Sequence, residues 1–96
     1  MDIPTVHKIR DYYIFLPKLL SNIDNSKKYF QQVCEKYDIL NTTFGIDQDY
    51  INQVKKQKES LENYIKYLEH EYNKICNFLS YYSMLNDSKE IFNISS

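Results

Sequence analysis

The second half of this sequence repeats apolar residues at alternating spacings of three and four over about thirty positions. Lys58 is the one polar residue that falls in this series. The spacing places a continuous apolar seam along a single helix of roughly 45 Å, and a helix of this length needs other helices against which to bury that seam. The seam residues are Ile51, Val54, Leu61, Ile65, Leu68, Tyr72, Ile75, Leu79 and Tyr82.

The first half carries a similar helical pattern, with Lys27 as its polar gap. Pro17 interrupts the pattern, because a proline inside a helix removes one backbone hydrogen bond and clashes with the preceding turn. We therefore predict either a kink at Pro17 or two helices, about 4–15 and about 17–40, with a weaker break at 21–26. The predicted seam residues are Val6, Ile9, Tyr13, Leu16, Leu20, Ile23, Phe30, Cys34, Tyr37 and Leu40.

Residues 41–47 form the predicted turn between the two halves. Asn41 or Gly45 can adopt the left-handed conformation that ends a helix, and Asp47 is a suitable N-cap for the next one. The long second helix is expected over about 48–85, followed by a tail at 86–96. The 96 residues thus form one helical domain.

A short connection between two long helices makes them antiparallel, so we predict an all-α helical hairpin. With the turn centred between residues 43 and 44, residue i should lie beside residue 87 − i. That register brings Lys58 close to Lys27, which is an unfavourable contact. A slip of one or two positions, or an outward-pointing Lys27, would relieve it.

The apolar stripe of the second helix is wider than the seam of a two-helix hairpin, which indicates that a further helix covers part of it. The first segment could fold back to give a three-helix bundle, or another chain could complete the core by oligomerisation. We favour the second arrangement. The predicted partner interface comprises Tyr12, Leu16, Tyr64, Tyr67, Phe78, Tyr81, Tyr82 and Leu85.

Tyrosine suits such an interface because it combines a large contact area with a polar tip. The chain has ten tyrosines, however, together with many Lys, Asn and Ile residues and a single glycine. This composition is typical of an AT-rich genome, so codon bias and internal packing are equally good explanations of the tyrosine content.

Charge and hydropathy exclude several classes of partner. The formal net charge is −1, the only arginine is Arg10, and no basic block occurs, so nucleic-acid binding is disfavoured. The longest apolar run, 12–16, is far too short to span a membrane. With no cleavable signal segment visible, we expect a cytoplasmic or other reducing compartment, while export by a signal-independent route stays open.

No residue pattern indicates catalysis, a cofactor, a metal or a small-molecule substrate. The four candidate soft ligands, His7, Cys34, His70 and Cys76, lie more than four positions apart, unlike the paired ligands of a zinc site. The hairpin also separates the two cysteines by roughly 35 Å along the helices, too far for an intramolecular disulfide. No nucleophile has a recognisable base partner and no glycine-rich loop is present, so we predict a non-enzyme.

The length, the central turn and the two long helices resemble the WXG100 class of secreted helical hairpins. The class carries Trp-x-Gly in the turn, where this chain has Thr43, Phe44 and Gly45. It also has Tyr-x-x-x-Asp/Glu after the second helix, where Tyr82 is followed four positions later by Asn86. The resemblance implies that such a hairpin pairs with another hairpin.

The functional prediction is a non-enzymatic protein–protein interaction module, a small helical subunit or adaptor of a larger assembly. Its partner would be another copy or a different protein, bound through helix faces. Two alternatives remain: a WXG100-like secreted partner, and a compact four-helix immunity or inhibitor protein in which Pro17 and 21–26 are true helix breaks.

Overall fold

The computed structural model describes the backbone of residues 2–95 and the side chains of residues 2–83. It consists of two helices, α1 (Ile3–Thr42) and α2 (Gln48–Ser95), which pack against each other along their length. The predicted all-α helical hairpin is confirmed. The molecule is a rod with extents of 77 × 22 × 15 Å, so nearly every residue lies close to the surface.

The start of α1 is fixed by Asp2 and Pro4. The Asp2 carboxylate accepts a hydrogen bond from the backbone N–H of Thr5 at 3.1 Å, which satisfies one of the free donors at the helix N-terminus. Pro4 lies in the first turn, where its missing N–H costs nothing. The expected start near residue 4 is therefore close to the observed one.

α1 runs without a break through Pro17 and through residues 21–26. The sequence left open a kink or a break at Pro17, and the structure has one helix there. Pro17 is exposed and lies beside the seam rather than in it, so its ring does not displace a seam side chain. Packing of α1 on α2 on both sides of this position outweighs the single lost backbone hydrogen bond.

The corner between the helices is closed by hydroxyl groups and one glycine. Thr42 and Thr43 donate their hydroxyls to the carbonyl of Ile39, at 3.0 and 2.6 Å, and so cover the C-terminal end of α1. Gly45 then adopts the left-handed conformation with φ +84°. Of the two predicted candidates, Gly45 rather than Asn41 makes this bend.

Asp47 caps α2, as the sequence predicts. Its carboxylate accepts from the backbone N–H of Asp49 at 3.1 Å, and its carbonyl accepts from Ile51 at 3.2 Å. The C-terminal end differs from the expectation, because α2 continues to Ser95 rather than ending near Leu85. The predicted tail, 86–96, lies outside the residues whose side chains are described.

The predicted seam of α2 is confirmed at every position. Its residues are buried or half-buried, and Lys58 lies half-buried among them. Tyr37 of α1 accommodates Lys58, whose ammonium group lies 5.0 Å from the centre of the tyrosine ring. A cation that stacks on an aromatic face in this way keeps a favourable partner while its stem packs in the seam.

The predicted seam of α1 is wrong by one position at several points. Tyr12 and Leu19 face α2, whereas Tyr13 and Leu20 lie at the edge of the interface and are exposed. The sequence offers two adjacent apolar residues at 12–13, 19–20 and 33–34, and an alternation of three and four fits either member of each pair. The inward-facing residues are Thr5, Ile9, Tyr12, Leu16, Leu19, Ile23, Ser26, Phe30, Val33, Tyr37 and Leu40.

The register of the hairpin also differs from the prediction. The hydrogen-bonded residues Asn22 and Tyr64 have numbers that total 86, and the ion-paired residues Lys27 and Glu69 total 96. These pairs lie on opposite sides of the seam, so the register at the seam itself is the mean of the two totals, 91. Residue i of α1 is therefore level with residue 91 − i of α2, rather than with residue 87 − i. The shift arises because α1 extends to Thr42 and the chain reverses at Gly45.

The corrected register removes the expected clash between Lys27 and Lys58. Lys27 forms an ion pair with Glu69 at 3.4 Å, while Lys58 stacks on Tyr37. The densest part of the core lies in the half of the hairpin away from the corner. Its buried residues are Leu19, Ile23, Leu68, Ile75 and Leu79.

Candidate interaction surface

The two sides of the seam differ in chemistry, and we name them separately. The aromatic flank consists of Lys8, Phe15, Asn22, Tyr29, Lys36, Tyr50, Gln57, Tyr64, Glu71 and Phe78. The groove flank consists of Val6, Tyr13, Leu20, Lys27, Cys34, Lys55, Glu62, Glu69, Cys76 and Ser83. Both sets follow from the heptad spacing, since each helix presents one residue per seven on each side of the seam.

Residues of the aromatic flank contact one another across the hairpin. The Gln57 amide donates to the Tyr29 hydroxyl at 2.6 Å, and the Asn22 amide donates to the Tyr64 hydroxyl at 3.4 Å. Lys36 lies over the ring of Tyr50, with its ammonium group 5.2 Å from the ring centre. The hydroxyls of two tyrosines and the ring face of a third are thus used within the molecule.

The end of the aromatic flank away from the corner is an aromatic cluster. Tyr12 packs edge-on against Phe78 with ring centres 5.2 Å apart, and Phe78 contacts Tyr82 at 4.7 Å. Lys8 covers Phe78, with its ammonium group 4.9 Å from the ring centre. These rings extend the core to the open end of the hairpin.

The predicted interface residues therefore divide into three groups. Tyr12, Leu16 and Phe78 pack against the core, and Tyr82 is half-buried beside Phe78. Tyr64, Tyr67 and Tyr81 remain exposed, the last two at 59%. The side chain of Leu85 lies outside the described residues.

The groove flank contains a shallow groove where large residues of α1 lie opposite small residues of α2. Cys76, Ser80 and Ser83 stand across from Tyr13 and Leu16, and the space between them measures 410 Å³. Small side chains cannot cover the edge of α1 here. The first pocket of the groove is therefore open along the seam.

The groove continues toward the middle of the hairpin. A second pocket of 310 Å³ adjoins the first at Tyr13 and Leu16 and is completed by Pro17, Leu20 and Tyr72. A third, of 240 Å³, begins at Leu20 and Tyr72 and ends at the Lys27–Glu69 ion pair. The groove is thus apolar for most of its length and charged at one end.

Tyr13 and Leu20 supply most of the exposed apolar surface of the groove. They are 57% and 44% exposed, and both occupy positions that the sequence pattern places in the seam. Sequence reasoning recognised them as apolar and assigned them to the core. Their observed position leaves two large side chains only partly covered by the hairpin itself.

Cys76 contacts Tyr72 inside the groove. A hydrogen bond with the Cys76 side chain, together with the proximity of that thiol, raises the pKa of the Tyr72 hydroxyl. The Tyr72 hydroxyl is consequently neutral near pH 7. Cys34 and Cys76 are free and half-buried, and residues 2–83 contain no group of three or more metal-ligating side chains.

Comparison with known proteins adds no relative. The chain matches no protein-family model, no curated protein and no solved structure. The resemblance to WXG100 hairpins thus rests on layout alone. Within the described part of the chain, neither helix has a stretch that is long and apolar enough to cross a bilayer.

The groove is a continuous part of the described surface that is suited to bind a partner. Phe44 at the corner is also fully exposed, but it stands alone, and single exposed apolar residues are common in soluble proteins. In the groove, by contrast, Tyr13 and Leu20 are contiguous with half-buried Leu16 and Tyr72. An apolar strip bordered by charges is typical of a protein-binding surface.

Proposed function

We propose that this chain is a non-enzymatic interaction module, a helical subunit or adaptor that uses the groove flank to bind another protein chain. The observation that supports the proposal best is the exposure of Tyr13 and Leu20 beside the half-buried seam. Each would be covered if a further helix lay in the groove. The hairpin would then become part of a larger helical bundle.

The chemistry of the groove favours a protein partner. Its lining is mainly aliphatic and aromatic, and its charges are one lysine, one aspartate and one glutamate. A nucleic acid would require an excess of positive charge, which the chain lacks. The two free cysteines fit a reducing compartment, which we retain as part of the proposal.

The compact four-helix alternative is not the one we propose. It needs helix breaks at Pro17 and 21–26, and α1 is continuous over both. The WXG100-like alternative also binds through a helix face, so the test below applies to it equally. It would differ in the identity of the partner and in being exported.

Site-specific photocrosslinking tests the proposal. A photoreactive phenylalanine analogue replaces Tyr13 in the groove or, as the control, Ile14 one position further round the helix. Both side chains are 57% exposed, so neither replacement should disturb the hairpin. Irradiation in cells of the source organism should give one discrete protein adduct from position 13 and none from position 14.

Two results would count against the groove as a binding surface. Equal labelling from both positions would indicate random encounters, and no adduct from position 13 would indicate that the groove stays in water. Either outcome rejects the proposal that the chain binds a partner through the groove.

A further inference from the structure

We propose that the partner in the groove is a second copy of this chain, related by a two-fold axis parallel to the helices. This inference rests on the proposed function, because it names the occupant of the same groove. The two hairpins would point in the same direction and form a four-helix bundle. α1 of each copy would lie beside α2 of the other.

A two-fold rotation does not change a residue's height along the axis. Each residue of one hairpin therefore lies at the same height as the identical residue of the other. In the register 91 − i, Tyr13 is level with residue 78, so its height differs by about 3 Å from those of Cys76 and Ser80 and by about 8 Å from that of Ser83. Tyr13 of one copy would therefore meet these small residues of the partner and fill the space that they leave open. Leu20 is level with residue 71 and would lie between the heights of the partner's Glu69 and Cys76.

The charges on the groove flank are self-complementary in this arrangement. Glu69 is level with residue 22 and Glu62 with residue 29, so the two carboxylates bracket the height of Lys27. Each Lys27 would face the partner's Glu69 and Glu62 as well as its own Glu69, which lies 3.4 Å away. Tyr13 and Lys27 thus both lie at the heights of suitable partner residues without any shift along the axis.

The reversed arrangement, with the hairpins pointing in opposite directions, matches less well. In that arrangement the two-fold axis is perpendicular to the helices. If the axis passes through the apolar part of the groove, Tyr13 of both copies comes together, but Lys27 lies far from the partner's Glu69. Only the open halves of the hairpins would then overlap. Charge complementarity thus selects the same-direction dimer.

Sedimentation equilibrium on the purified chain provides the first measurement. The expected result is a monomer–dimer equilibrium between 11.6 kDa and twice that mass. Tyr13→Glu, which puts a charge in the groove, should weaken dimerisation at least tenfold, whereas Ile14→Glu should change it less than twofold. A wild-type monomer at every concentration up to the millimolar range would overturn the inference.

Charge reversal tests the direction of the two hairpins. Lys27→Glu and Glu69→Lys should each weaken the homodimer, and an equal mixture should form mainly the heterodimer, seen by native mass spectrometry. The matched control is Lys74→Glu mixed with Glu71→Lys, since this pair forms a similar 3.6 Å contact away from the groove. Statistical mixing of the Lys27 and Glu69 variants would reject the same-direction dimer.

Small-angle scattering provides an independent check of the arrangement. The same-direction dimer keeps a maximum length near the 77 Å extent of the monomer. A reversed dimer that overlaps only at the open halves would reach roughly 100 Å, at 1.5 Å per helical residue. A length in the second range would also contradict the inference.

Failure of this inference is separable from failure of the proposed function. A position-13 crosslink that forms in cells but not with the purified chain would mean that the groove binds a different protein. The proposed function would then survive and the second copy would be rejected. Absence of the crosslink in both settings would reject both.

Discussion

At the scale of single residues, the helix ends are determined by short polar side chains. Asp2 and Asp47 accept from backbone N–H groups, and Thr42 and Thr43 donate to the Ile39 carbonyl. The sequence predicted Asp47 and left Gly45 as one of two choices, because both stand in an unmistakable turn. Asp2 was missed, although Asp followed by a proline in the first turn is a recognisable helix start.

Asp2 provides a pH-dependent prediction. Hydrogen bonds from the Thr5 side chain and then from its backbone N–H lower the pKa of the Asp2 carboxyl below its ordinary value of 3.8. The cap therefore contributes fully above about pH 3.8 and is lost as the pH falls through the lower folded pKa. The protection of amides in the first turn of α1, measured as their hydrogen-exchange rate relative to that of an unstructured peptide at the same pH, should decrease in that range.

Asn at position 2 is the control for this cap. Asn caps helices as well as Asp does but does not titrate, so Asp2→Asn should remove the pH dependence of amide protection in the first turn. If the protection of the wild-type chain stayed constant down to pH 2, the Asp2 carboxylate would not be the group that holds this turn.

At the scale of the helices, the type and extent of the elements followed from spacing, but the face of α1 did not. The α2 pattern is unambiguous because a polar residue follows almost every seam position. In α1, apolar residues come in adjacent pairs at 12–13, 19–20 and 33–34, and single-helix periodicity fits either member. The contacts with α2 decide between them.

Leu19 and Leu20 test the corrected face of α1. They are adjacent and chemically identical, but Leu19 is 4% exposed and Leu20 44%. Leu19→Ala should lower the free energy of unfolding by about 2–5 kcal/mol, since it leaves a cavity in the core. Leu20→Ala should cost less than about 1 kcal/mol in the monomer, because its side chain is already partly in water.

Urea titration at a concentration where the chain is monomeric measures both variants. Dilution matters because any dimer would add its own contribution at Leu20. If both substitutions lowered the free energy of unfolding equally, α1 would face α2 with a different side from the one described above.

At the scale of the whole molecule, the register depends on more than the seam. A strict heptad repeat lets the two helices slide by seven residues and still pair apolar rows, so polar residues must distinguish the registers. Lys58 is the clearest of these, because it finds the Tyr37 ring at its observed height. The sequence identified Lys58 as an anomaly but placed it beside Lys27, since the turn centre was misplaced.

The Lys58→Leu substitution tests whether Lys58 fixes the register of the hairpin at some cost in stability. The substitution should raise the free energy of unfolding by about 1 kcal/mol, because an apolar side chain buries better in the seam. It should also populate additional oligomers or registers, seen as extra species in native mass spectrometry. Lys56→Leu, on the exposed face, is the control and should change neither property.

A decrease in stability for Lys58→Leu would mean that the stacking of Lys58 on Tyr37 outweighs the gain in apolar burial. A gain in stability without any new species would instead show that the corner at Gly45 suffices to hold the register.

The single reversal at Gly45 has a consequence for how the chain is made. Because Ile9 is level with Tyr82, the ribosome must add roughly 73 further residues before the packing partner of that early turn emerges. At about 5–20 residues per second, the beginning of α1 waits on the order of 4–15 seconds. For that interval Tyr12, Leu16 and Leu19 are unshielded in the nascent chain, and they are the residues for which a chaperone would compete with α2.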